Sequence, residues 1–192
     1  KSSGATSAFN EFYGASSDTD IGMFANCYYG STYHNVIDYV TISSTGNASD
    51  WGDSTASAYF TGGHGNRTYG ITRYGGRVSS TGWVTSNIDY VTWASQGDAA
   101  DWGDADIDYG GYHVTGCGSS TRGIWSNGAY PTGNVISYLS LSSTGNGADF
   151  GNTTSSKDST GNCSSTTRAV ISGGHSGGAA KNRADYITIA ST

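Results

Sequence analysis

One stretch of this chain keeps returning, and that recurrence limits the fold more than any other feature. Val36-Ile37-Asp38-Tyr39-Val40-Thr41-Ile42-Ser43-Ser44-Thr45-Gly46-Asn47-Ala48-Ser49-Asp50-Trp51-Gly52-Asp53 comes back as Asn87-Ile88-Asp89-Tyr90-Val91-Thr92-Trp93 running on to Asp101-Trp102-Gly103-Asp104. It comes back again as Val135-Ile136-Ser137-Tyr138-Leu139-Ser140-Leu141 running on to Asp149-Phe150-Gly151-Asn152. A fourth copy, Ala184-Asp185-Tyr186-Ile187-Thr188-Ile189-Ala190-Ser191-Thr192, lacks the second half. That half lies at the other end: Gly4-Ala5-Thr6-Ser7-Ala8-Phe9-Asn10-Glu11 can be laid on Gly46 to Asp53. A period of about 48 residues implies units that bury their apolar faces against one another. A single domain over residues 1–192 is therefore expected, with units at approximately 21–65, 66–118, 119–164, and 165–192 plus 1–20.

Each unit reads as short strands. In the signature, Ile37, Tyr39 and Thr41 alternate with Val36, Asp38, Val40 and Ile42, and apolar or aromatic residues fall on both faces, as in a strand covered on both sides. Polar stretches such as Cys117-Gly118-Ser119-Ser120-Thr121 and Cys163-Ser164-Ser165-Thr166-Thr167 read as turns, each followed by a short apolar strand and a Gly-rich corner. Gly46-Asn47 and Gly145-Asn146 read as turn residues suited to left-handed backbone. Thirty Gly, one Pro and 12% aromatics fit an all-β chain of many strands and tight turns. Three or four strands per unit is the content of a propeller blade, and complementary half-repeats at the termini would close the ring. The expected fold is an all-β, four-bladed β-propeller closed by pairing of an N-terminal strand with the C-terminal blade. A linear β-solenoid, or one segment of a longer array, is the competing arrangement.

A net charge of −6 without a basic cluster argues against nucleic acid as a partner. No apolar run reaches the length of a membrane span or a leader peptide. Cys27, Cys117 and Cys163 are odd in number and lack metal-type spacing; Cys117 and Cys163 occupy matching positions of successive units and are expected to stay unpaired.

Few residues of this chain are arranged for chemistry. The pairs Asp50/Asp53 and Asp101/Asp104 offer oxygen ligands for Ca²⁺, against the plainer reading that they accept backbone N–H bonds in turns. His34, His64, His113 and His175 form no zinc pattern, and no Gly-x-Ser-x-Gly elbow is present. Gly173-Gly174-His175-Ser176-Gly177-Gly178 superficially suggests a nucleophile loop, yet it aligns with the Gly-rich corners of the other units. With Glu11 the only Glu, paired carboxylates for glycoside hydrolysis would have to be Asp. No enzyme and no cofactor other than calcium is expected. What remains is an excess of aromatics in polar surroundings: Trp83, Trp93, Trp125, Tyr109, Tyr112 and Tyr130, with Tyr28, Tyr29 and Tyr33. Such residues stack on sugar rings, contact other subunits, or pack between units.

The Gly-Gly corner, the Tyr-containing strand and the Trp/Phe-Gly-Asp end resemble Kelch-type propeller repeats in layout. Ile37 through Asp53, together with Ser119-Ser120-Thr121-Arg122-Gly123-Ile124-Trp125, are more similar still to tandem repeats of virion structural and tail-fibre proteins of bacteriophages, particularly marine and cyanobacterial ones. The resemblance covers essentially the whole chain, with Ser137 in place of Asp as a departure. It implies a non-enzymatic component of a phage virion, such as a fibre, appendage or capsid-decorating module, located on the virion or extracellularly. Its implied partners are other virion subunits or further copies of itself, extended by binding of host-surface glycans. A secreted lectin-like propeller unconnected with a phage is the alternative.

Overall fold

The computed structural model describes residues 20–75, 86–106, 113–126, 128 and 133–190. Among these the chain is all-β, with sixteen strands and no helix. The first sheet joins β1 (Ile21–Tyr29), β2 (Thr32–Thr41) and β3 (Ser49–Ala58) in that order. The second joins β4 (Gly62–Gly65), β5 (Tyr69–Arg73), β6 (Asn87–Thr92) and β7 (Ala100–Asp104), and the third β8 (Thr115–Gly118), β9 (Arg122–Ser126), β10 (Val135–Ser140) and β11 (Ala148–Asn152). In the fourth, β12 (Gly161–Ser164), β13 (Arg168–Ser172) and β16 (Ala184–Thr188) pair, with a small hairpin of β14 (His175–Ser176) and β15 (Ala179–Ala180) inserted before β16. All pairings are antiparallel. The Gly173–Gly178 corner thus holds a two-residue hairpin turn, with Gly177 and Gly178 at φ +60° and +81°, the combination a type I′ turn requires.

The sheets are offset from the units read in the sequence. β4, β8 and β12 each pair with the strand that follows them, so each sheet begins four residues before the polar turn that the sequence places at a unit's start. The turn is a hairpin inside a sheet, as its Ser and Asn residues dictate: Asn66 Oδ1 accepts from the N–H of Thr68 and Tyr69, and Ser119 Oγ from those of Thr121 and Arg122.

The Trp/Phe-Gly-Asp motif forms a β-bulge in each of three sheets. The pairing steps from Ile37↔Gly52 to Asp38↔Asp50, from Ile88↔Gly103 to Asp89↔Asp101, and from Ile136↔Gly151 to Ser137↔Asp149. The residue skipped is the aromatic one, and the bulge turns Trp51 and Trp102 into the core. The glycine beside it adopts φ +152° at Gly52 and +144° at Gly103, and a β-carbon there would lie 2.5 Å from Gly97 or 2.6 Å from Gly145. The bulge is therefore also a docking slot. Gly97 and Ala99 donate to the carbonyls of Trp51 and Asp53 at 3.1 and 2.8 Å, and Gly145 and Gly147 to those of Trp102 and Asp104 at 2.9 and 2.7 Å. Gly97-Asp98 and Gly145-Asn146 bind the preceding sheet, with Asp98 and Asn146 side chains taking the N–H of Asp53 and Asp104. The sequence reading of Gly145-Asn146 as a local turn misses this, because the partner strand is about forty residues away.

Sheet follows sheet, face to face. Met23, Ile37, Trp51 and Tyr39 of the first meet Val91 and Trp93 of the second. Ile71, Ile88 and Trp102 of the second meet Trp125, Leu139 and Leu141 of the third, and Ile124, Ile136 and Cys117 of the third meet Ala169, Ile171 and Ile189 of the fourth. Burying each large side chain is worth about 1.5–3 kcal/mol, and these three layers hold the chain together. Two of the three interfaces are also clamped by the signature aspartate. Asp89 accepts from the N–H and Oγ1 of Thr55 in the first sheet and from the hydroxyl of Tyr74. Asp185 accepts from Thr154 Oγ1 at 2.6 Å and from the buried Lys157 Nζ at 2.8 Å.

Candidate functional site

The sequence candidates divide sharply. Trp125 is 1% exposed, donates its indole N–H to the Gly62 carbonyl at 3.1 Å, and fills the space opened by Gly123, where a β-carbon would meet the ring at 2.6 Å. It is a core residue with no face to offer a ligand. Trp93 is half-buried, sits edge-on to Trp51 and donates to the Asn66 carbonyl at 2.7 Å, so it serves mainly the junction of the first two sheets. Trp83, Tyr109, Tyr112 and Tyr130 lie outside the described residues. The crevice between those sheets, lined by Met23, Ile37, Thr72, Asp89 and Val91, is too tight for a water molecule.

The acids proposed for calcium are engaged in or exposed near the bulges. Asp101 Oδ1 accepts from its own Gly103 N–H at 3.1 Å, as Asp149 does from Gly151 at 2.9 Å, and Asp104 accepts from Ser86 Oγ at 2.9 Å. Asp50 and Asp53 are exposed on β3. Among the described residues no three His, Cys, Asp or Glu side chains converge.

An aromatic cluster does converge at the far end of the first sheet. β1 to β3 run nine or ten residues against five or six for the matching strands of the second and third sheets, so the first sheet is longer along its strands than those two. Gly30 and Ser31, at φ +58° and +68°, turn the hairpin and place Tyr28 opposite Tyr33. The Tyr28 and Tyr33 rings lie 5.0 Å apart, and Tyr59, just past β3, stacks on Tyr33 at 5.3 Å and touches Tyr28 at 5.8 Å. Phe60 adjoins Tyr59 at 4.3 Å, and His113 closes the row against Phe60 at 3.8 Å. Phe60 and His113 both take positive φ, +57° and +60°, a costly conformation for residues with a β-carbon and one that collects at binding sites. Tyr28 is 42% and Tyr29 58% exposed. Burial holds the His113 pKa below its ordinary value, Asp158 opposing, so the imidazole is neutral at pH 7.

This arrangement presents ring faces and phenolic hydroxyls together, on a polar acidic chain, with a neutral imidazole at its end. It offers stacking and hydrogen bonding without a fixed charge. Of its members the sequence singles out Tyr28 and Tyr33; Tyr59 and Phe60 sit in a stretch that varies between units, and that variation is the only local signal they give. Among the described residues Cys27, Cys117 and Cys163 are free thiols, with burial pushing Cys117 up to about 12.

Comparison with protein-family models and with curated proteins finds no match.

Proposed function

We propose that the chain is a non-enzymatic structural and adhesive module that recognises carbohydrate on the tyrosine platform of its first sheet. The observation that carries this reading is the row Tyr28, Tyr33, Tyr59, Phe60, His113, brought together from three separate segments and partly open to solvent. Pyranose rings present C–H faces to aromatic rings and hydroxyls to phenols and imidazole, and a neutral platform suits them better than an ionic ligand. The resemblance to phage tandem repeats supplies the setting: a fibre, appendage or capsid-decorating module on a virion, binding host-surface glycans with weak sites multiplied by copy number. A free secreted lectin would use the same platform.

Four antiparallel sheets packed in succession support the blade reading of each unit. Closure of four blades into a ring would bury the outer faces of the first and fourth sheets against each other. Among the described residues these faces carry Ile42, 55% exposed, and Tyr186, 66% exposed, and the N-terminal half-repeat at residues 4–11 expected to close the ring lies outside the described residues.

The test is a glycan array on the purified chain, followed by titration of the best hit against Tyr33→Ala and Tyr28→Ala. Each substitution should weaken binding at least tenfold, the scale of about 1.4 kcal/mol, while the fold is retained. An array without hits, or a hit indifferent to both substitutions, rules the reading out.

A further inference from the structure

We infer that the outer face of the fourth sheet is a docking surface for the outer face of the first sheet of a second copy of this chain, so that copies join head to tail. The chain already builds this interface three times within itself.

Each sheet has a presenting face and a receiving face. The presenting position held by Ile71 in the second sheet and Ile124 in the third, both fully buried, is held by Val170 in the fourth. The neighbouring signature tyrosine, half-buried at Tyr90 and Tyr138, is Tyr186 in the fourth and stands 66% exposed. The receiving position is Trp93, Leu141 and Ile189 in the second, third and fourth sheets, where it packs into the junction. In the first sheet the same position is Ile42, 55% exposed, on the face that also carries exposed Phe24 opposite Asp38. One end of the chain thus leaves open the face that the other end is shaped to fill.

A polar contact is set up as well. Arg122 lies over the Tyr138 ring at 4.8 Å and donates to the Ile189 carbonyl of the fourth sheet at 2.8 Å. Arg168 lies over the Tyr186 ring at the same 4.8 Å. By the repeat, the residue that corresponds to Ile189 is Ile42, so the Arg168 guanidinium is stacked where it would meet the Ile42 carbonyl of an incoming copy. The charges agree: the presenting face carries Arg168, and the receiving face carries Asp38, the counterpart of the clamping Asp89 and Asp185. Because the two surfaces differ and do not meet within one chain, the contact is heterologous and propagates.

The experiment uses the whole chain and two substitutions at exposed positions, Ile42→Glu and Tyr186→Glu, with circular dichroism confirming that each retains the fold. In sedimentation velocity the unsubstituted chain should form a concentration-dependent ladder of species. Either variant alone should stop at the monomer, since each has lost one of the two faces that a contact needs. Mixed together they should give a 1:1 heterodimer and nothing larger, through Tyr186 of the Ile42→Glu chain and Ile42 of the Tyr186→Glu chain. An unsubstituted chain that stays monomeric up to millimolar concentration overturns the inference, as do variants that assemble like it. Protection of Ile42→Cys and Tyr186→Cys from thiol reagents in a monomer would mean that the chain covers its own ends, which overturns it too. None of these readouts involves sugar, so the outcome is separate from that of the glycan array.

Discussion

The carboxylate of Asp89 in the second sheet holds the backbone N–H of Thr55 in the first at 2.8 Å and takes the Thr55 hydroxyl as well. With Tyr74 donating to the same group, a buried carboxylate ties two sheets together through three donors. Asp89→Ala should therefore cost about 3 kcal/mol in urea unfolding, because the Thr55 N–H and the Tyr74 hydroxyl lose their acceptor in a dry interior. A loss within the ordinary range of surface substitutions would show that the clamp contributes little.

The two clamping aspartates should respond oppositely to pH. Burial raises the Asp89 pKa despite its hydrogen bonds, so its contribution is full below the ordinary carboxylate value near 3.8 and is lost as pH rises through the folded value. Asp185 is pushed up by burial but pulled further down by Lys157 and Thr154; its contribution is present above that value and is lost as pH falls through the folded one. Asp89→Asn should consequently gain stability relative to the unsubstituted chain between pH 3.5 and pH 7, whereas Asp185→Asn should lose it. Urea midpoints at the two pH values measure both, and parallel behaviour of the two variants would refute the assignment.

Gly103→Ala tests the docking slot. It must place a β-carbon 2.6 Å from the Gly145 carbonyl oxygen in a backbone conformation that alanine resists, and about 3 kcal/mol of destabilisation is expected. Gly46→Ala, at the corresponding docking loop of the first unit, meets nothing within 4 Å and should stay within about 0.5 kcal/mol. Equal effects at the two sites would remove the distinction.

Mild acid should weaken the fold through His64. Its Nε2 faces the Ser119 carbonyl at 2.8 Å, and burial holds its pKa below the ordinary value. The folded state resists protonation, so stability falls as pH drops below about 6.5, where the unfolded chain takes up the proton. His64→Gln should flatten the decline between pH 7 and pH 5; an unchanged slope would assign the decline to another group.

Much of this architecture is legible in the residues. Ile37, Tyr39 and Thr41 mark a strand by their alternation, Asn66 and Ser119 mark hairpin turns, and both are local signals. Trp125 misleads because its burial depends on what lies across the sheet: Gly62 and the second sheet cover a ring whose own neighbours, Ser126 and Asn127, are polar. The Trp-Gly-Asp bulge is visible as a motif, while its role as a slot requires Gly97 and Gly145 to arrive from the following unit. The tyrosine platform is the least legible feature, since Tyr28, Tyr59 and His113 meet only once three segments have been folded together.

The clamps also carry an address. Thr55 and Thr154 stand two residues after Asp53 and Asn152, and the residue two after Asp104 is Asp106. The signature that follows Asp106 is the one that carries Ser137 instead of aspartate, and the buried Ser137 hydroxyl has no partner. A second carboxylate at that junction would have set like charges facing each other across it. The Ser137 unit is therefore matched to its predecessor rather than interchangeable with its siblings. Moving the Ser137 unit behind Thr55 would strand a donor, and moving the Asp89 unit behind Asp106 would confront two acids. The order of the units is thus a spelling fixed at the seams.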